Sequence, residues 1–136
     1  MELEDAIETI ESGYEFLLAF AAQGRPAAAE SGPGPHARPT LQGMVESLNA
    51  LIEKLQDSDN DFEQVIVNDS RNAKAAIGFI LAQEKVGSEM IDNLNASIHL
   101  RAVLTDLFLY SEVLKPLPLD EGGSAGTVKQ FDPSKQ

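Results

Sequence analysis

DFEQVIVNDSRNAKAAIGFILAQEK, residues 61–85, admits two readings, and the choice between them sets the fold class. Val65, Ile66 and Val67 in a row have the β-branched character of a short strand. The same residues fit a helix with Phe62, Val65 and Ile66 turned inward. NDSRN, at 68–72, interrupts the apolar pattern, and Ala73, Ala76, Ile77, Ile80 and Leu81 resume it at helical spacing. A strand needs partners to be stable, and no second segment offers one. The stretch is therefore read as helix, with 68–72 the place where a break would fall.

On its N-terminal side lies DSDNDFEQ, residues 57–64, where Asp57, Asp59 and Asp61 alternate as the first ligands of a calcium loop do. Such a loop also needs Gly at its sixth position and a bidentate Glu at its twelfth. Counted from Asp57, those positions hold Phe62 and Asn68. A helix start explains the stretch better. Asp59 or Asn60 caps the next helix, and Asp61 and Glu63 sit in its first turn, where the helix dipole favours acids.

Before it, TLQGMVESLNALIEKLQ (40–56) carries an apolar stripe of Leu41, Met44, Val45, Leu48, Leu51, Ile52 and Leu55, with Thr40 as N-cap. Residues 3–22 form the first helix. Leu3, Ile7, Ile10, Tyr14, Leu17 and Ala21 alternate spacings of four and three, and Gly24 supplies a stop. Between these helices GRPAAAESGPGPHARP (24–39) holds four prolines and three glycines, and no regular element is expected there. Its His36 has no second ligand nearby.

After residue 85, Gly87 and Ser88 mark a restart. One last helix is expected from Ser88 to Val113 or Leu114, with Met90, Ile91, Leu94, Ile98, Ala102 and Thr105 along one face. From Val103 onward apolar residues surround it, more than a single core can cover. A subunit or partner interface is therefore expected around Leu104, Leu107, Phe108 and Tyr110. The prolines of KPLPL (115–119) end the helix, and residues 120–136 have the composition of an irregular tail.

The fold expected is all-α: a four-helix bundle or paired helical hairpins in one domain over 1–119, with a long Pro/Gly link after helix 1. Dimerisation would complete it if helix 1 packs on a second chain.

Charge and composition narrow the function. A formal net charge of −12 repels phosphate backbones and anionic membranes, so direct binding to nucleic acid or membrane is not expected. The absence of Cys excludes thiolate metal sites, disulfides and Cys nucleophiles. The opening MELEDAIETIE is acidic, the reverse of a signal peptide's basic start, and a cytoplasmic location is expected.

Catalytic, cofactor and metal sites find no support. Two His, at 36 and 99, leave no nucleophile–base set, and GGSAGT (122–127) lacks the Lys-Ser/Thr of a phosphate loop. A carboxylate-bridged metal bundle needs Glu-x-x-His, and Ala96 stands where that Glu would precede His99. Asp69, Asn72 and His99 remain as a candidate polar patch. The function expected is a small acidic helical adaptor or regulatory protein, not an enzyme, acting on a protein partner or on itself as a homodimer. The alternatives are a ligand- or metal-binding bundle using His99 with helix carboxylates, and an acidic nucleic-acid mimic that blocks a basic protein.

Overall fold

The structure, a computed structural model, describes residues 1–32 and 34–114. They form five α-helices and no strand: α1 Leu3–Ala22, α2 Ala37–Leu55, α3 Asp61–Leu81, α4 Ser88–Ala96 and α5 Ile98–Leu114. The stretch that sets the fold class is one unbroken helix, α3, with NDSRN inside it. Ser70 turns into the core there, while Asn68, Arg71 and Asn72 face outward. The polar run is thus mostly the solvent side of an amphipathic helix. The expected tail, 120–136, lies outside the described residues.

Contacts run around a ring. α1 packs on α2, α2 on α3, α3 on α5 and α4 back on α1. Neighbours are antiparallel, as pairs of contacts show: Met1 meets Ser47 while Gly13 meets Met44 and Thr40 further back along α2, and Ser88 meets Phe20 while Asn95, further along α4, meets Leu17. Inside the ring is one core, including Ile10, Leu17, Leu41, Leu48, Ile66, Ile77, Ile91 and Leu107. Each such side chain contributes about 1.5–3 kcal/mol on leaving water. Gly13 lets the two helices approach closely: an added Cβ would stand 2.7 Å from the Met44 Cγ, and that side chain would have to shift.

Two expectations are corrected. The link after α1 is not irregular throughout, for Ala27–Ser31 forms a 3₁₀ helix. α2 also begins earlier than Thr40, at Ala37 with His36 in the N-cap position. Pro39 is tolerated in the first turn because N–H groups there have no intrahelical acceptor to lose. Arg38 ties the segment down. Its guanidinium bonds the Glu30 carboxylate at 2.7 Å and the carbonyls of Leu81 at 2.8 Å and Gln83 at 3.0 Å. Glu30 in turn accepts the Val86 N–H at 2.9 Å.

The last helix is also two helices. Ser97, with extended backbone (ψ 145°), separates α4 from α5. The break has a packing cause. In a continuous helix Leu100 would lie nearly opposite Ile91, since nine residues make two and a half turns of about 3.6. α4 faces α1 while α5 faces chiefly α3, so the chain must reset its face between them. The reset buries Leu100 and leaves Ile98, expected inward, 71% exposed.

Candidate functional site

The seam between α3 and α5 gathers the polar groups that neither solvent nor helix backbone explains. It begins at the α2–α3 turn. Asn60 caps α3, its Oδ1 accepting the Glu63 N–H at 3.0 Å. Gln64 donates to the carbonyls of Leu55, Gln56 and Ser58. Glu63 accepts the Ser58 hydroxyl at one oxygen and the Tyr110 hydroxyl of α5 at the other, both at 2.5 Å. Burial, then the bond to Glu63 and that residue's charge, raise the Tyr110 pKa, so the phenol stays protonated and donates.

Further along the seam Asp69 of α3 meets Asp106 of α5. Burial first, then the hydrogen bond and negative charge of Asp69, push Asp106 up to about 8. Two ionised carboxylates offer no donor to each other, and Asp106 Oδ2 is buried without a hydrogen-bond partner. With one proton between them the bond closes and the charge falls to −1. Asp106 and Tyr110 stand four residues apart on α5, so both carboxylate contacts lie on one face.

The outward side of α5 is different in kind. Ile98, Leu109 and Val113 are exposed along it, with Thr105 between them and Phe108 beside them. Arg101 and Glu112 flank this stripe.

Of the residues expected at an interface, Leu104, Leu107 and Tyr110 lie in the chain's own core, and Phe108 is exposed. The polar patch is not assembled. Asp69 is half-buried against Asp106, Asn72 and His99 are exposed, and no hydrogen bond or ion pair among the described residues joins the three. No group of three or more His, Asp or Glu side chains among the described residues is arranged to hold a metal ion. Asp106 was missing from the expected set. An acid four residues before Tyr110 on the buried side of an apolar helix was its signal, legible only once α3 was known to lie opposite.

A groove of about 750 Å³ lies where α1 ends and α4 begins, lined by residues that include Arg25, Ala27, Gly87, Glu89 and Asp92. Its walls are held by Ser88, whose hydroxyl donates to the Phe20 carbonyl at 2.6 Å and accepts the Arg25 N–H at 2.8 Å. Glu89 and Asp92 give it acidic edges that oppose an anion at the helix N-terminus. No helix among the described residues is long and apolar enough to cross a membrane.

Comparison with known proteins returned no match: no family model, curated protein or solved structure is similar to this chain.

Proposed function

We propose that this chain is a non-catalytic accessory protein, an adaptor or regulatory subunit, that works through protein–protein contacts made by the outward face of α5, first of all with a second copy of itself. The observation that carries the reading is the exposure of four large apolar side chains on one helix: Ile98 at 71%, Phe108 at 53%, Leu109 at 57% and Val113 at 51%. Single exposed apolar residues are ordinary, but a row of them along one element marks a contact surface.

Charge favours a second copy. α1 bears five acids and no base, so two copies repel through it. The outward face of α5 carries one base, Arg101, and one acid, Glu112, on the same flank. These are eleven residues apart, close to three turns or about 16 Å along the axis. Antiparallel pairing about a two-fold axis brings each Arg101 beside the other chain's Glu112, and the apolar stripes meet between.

Analytical ultracentrifugation of the wild type and of Leu109→Glu tests this. A wild-type dimer, with a monomeric variant of unchanged helix content, supports it. A wild type that stays monomeric at high micromolar concentration overturns it.

A second reading, a nucleic-acid mimic that occupies a basic protein, draws support from Glu4, Glu8, Glu11 and Glu15. They share one face of α1, with neighbours about 5–6 Å apart. Burial, then Glu15 and Glu8, raise the Glu11 pKa, as expected where like charges crowd. Binding to a polybasic peptide at low salt, lost when Glu8, Glu11 and Glu15 are all changed to Gln, would support it, and no binding would remove it. A metal site at His99 has no comparable support, since that side chain is exposed and no metal-holding group forms around it among the described residues.

A further inference from the structure

We infer that Asp69 and Asp106 form a proton-sharing clasp that seats α5 on α3, so that the packing of α5 responds to pH. The geometry is specific. α5 rests chiefly on α3, and these two carboxyl groups meet at that contact. One buried oxygen of Asp106, Oδ2, has no hydrogen-bond partner. Below the transition the pair is a hydrogen bond across the seam. Above it, two negative charges face each other from opposite helices, with one oxygen of Asp106 buried.

Among the described residues no cation is placed to offset that repulsion: the two on α3, Arg71 and Lys74, are exposed and line a groove with Asn49, Ile52 and Glu53 of α2. From α3 come Asp69 and, six residues before it, Glu63, which is engaged by Tyr110 and Ser58. α4 also packs on α5, but its acids, Glu89 and Asp92, are exposed. α1 touches α5 less and contributes only acids, of which Glu4, Asp5, Glu8 and Glu15 are exposed and Glu11 is half-buried. On α5 itself His99, Arg101 and Glu112 are exposed, and Tyr110 donates to Glu63. Asp69 is the one charge that acts appreciably on Asp106.

The sign follows from linkage. The folded chain holds a proton that the unfolded chain has released, so stability falls as pH rises from the ordinary carboxylate range towards the folded value of Asp106, about 8, and levels off above it. The consequence reaches function because α5 carries the proposed contact face. The clasp does not depend on that reading, since it is internal to one chain.

The test compares wild type with Asp106→Asn and Asp69→Asn, whose amides mimic the protonated partner. Melting temperatures and amide hydrogen exchange in α5 are measured at matched pH from mildly acidic to mildly alkaline. Carboxyl carbon chemical shifts of the wild type are followed over the same range.

At acidic pH the variants should match wild type. At alkaline pH Asp106→Asn should melt several degrees higher and exchange α5 amides about tenfold more slowly, a factor equivalent to one pH unit of protonation. The Asp106 carboxyl should titrate far above its ordinary range and move down in Asp69→Asn. A difference between wild type and variants that is constant with pH would overturn the clasp. So would an Asp106 carboxyl that titrates in the ordinary range. If Asp106→Asn fails to fold, Asp69→Asn and the wild-type titration decide. Ultracentrifugation of the same samples separates this outcome from dimer formation: a pH-dependent α5 in a monomer sustains the clasp and removes only the dimer.

Discussion

Tyr110 of α5 gives its hydroxyl proton to Glu63 of α3 across 2.5 Å, and that carboxylate also accepts from Ser58 in the preceding turn. One acid in the first turn of α3 therefore ties together the end of the α2–α3 turn, the start of α3 and the last third of α5. The bond is charge-assisted and the ring is 2% exposed, so water replaces it poorly. Tyr110→Phe keeps the ring and removes the donor. A loss of about 1.5–3 kcal/mol is expected in urea unfolding at neutral pH, the range for hydrogen bonds to charged groups. A loss near zero would mean that solvent takes the donor's place.

The turn DSDNDFEQ is held by its amides and by Glu63. Asp57 and Asp59 are exposed, Asn60 caps α3, and Gln64 holds the turn's carbonyls. The backbone carbonyl that a calcium loop aims at the ion, at its seventh position, would be that of Glu63, which lies in the first turn of α3. Calcium at submillimolar concentration should leave the melting temperature unchanged. Asn60→Ala should lower stability by about 1 kcal/mol, the usual cost of losing a cap. A calcium-dependent rise of several degrees would contradict this account of the turn.

The helical faces were legible because they depend on local periodicity. The bounds of α1 fall where the spacing of Leu3 to Ala21 and the stop at Gly24 put them, and Gly24 adopts the positive φ, 64°, that such a stop uses. That α3 is helix rather than strand has a reason also present in the sequence, the lack of a pairing strand. What failed depends on distant partners. The 3₁₀ turn at Ala27–Ser31 exists because Arg38 and Val86 converge on Glu30, and no window around residue 30 contains that fact. The α4–α5 break depends on which helix each half meets. The Asp69–Asp106 contact needs α3 and α5 side by side before either acid looks unusual.

Arg38 converts a Pro/Gly-rich link into packed structure. It joins Glu30 to the carbonyls of Leu81 and Gln83, which lie at and just past the end of α3. Its side chain keeps 28% exposure, so solvent screens part of the charge. Arg38→Ala should cost about 1–2 kcal/mol, chiefly from carbonyls left without a donor. The bond from Arg38, with help from the Val86 N–H, holds the Glu30 carboxyl below its usual range. A lowered folded pKa gives stability that is present above the ordinary carboxylate value and is lost as pH falls through the lowered one. The penalty of Arg38→Ala should therefore shrink in acid without vanishing, because the carbonyl bonds do not titrate. Replacing 25–38 by a Gly/Ser linker should cost more still, since Ala37 is buried and Ser88 donates its N–H to the Arg25 carbonyl at 2.8 Å. Denaturation midpoints across pH check both expectations.

Leu100 and Ile98 give the sharpest test of the chain's path, because a continuous last helix and the broken one assign them opposite roles. On a continuous helix Ile98 follows Ile91 by seven residues and Leu94 by four, which places it inward, and Leu100 falls on the far side. With the break at Ser97 the assignments exchange: Leu100 is fully buried and Ile98 is 71% exposed. Ser97 suits the break, its hydroxyl accepting the Leu100 N–H at 3.4 Å as an N-cap of α5 does. Removing a buried Leu side chain leaves a cavity and costs about 2–5 kcal/mol, whereas trimming an exposed one changes stability by about 0.5 kcal/mol or less. Leu100→Ala should therefore lower the unfolding free energy severely, and Ile98→Ala should leave a monomer nearly untouched. Dimerisation through α5 would add a loss at Ile98 that grows with protein concentration, so both variants are measured across a dilution series. If Ile98→Ala is the costly change even at the lowest concentration and Leu100→Ala the mild one, the last helix is continuous and α5 faces the other way.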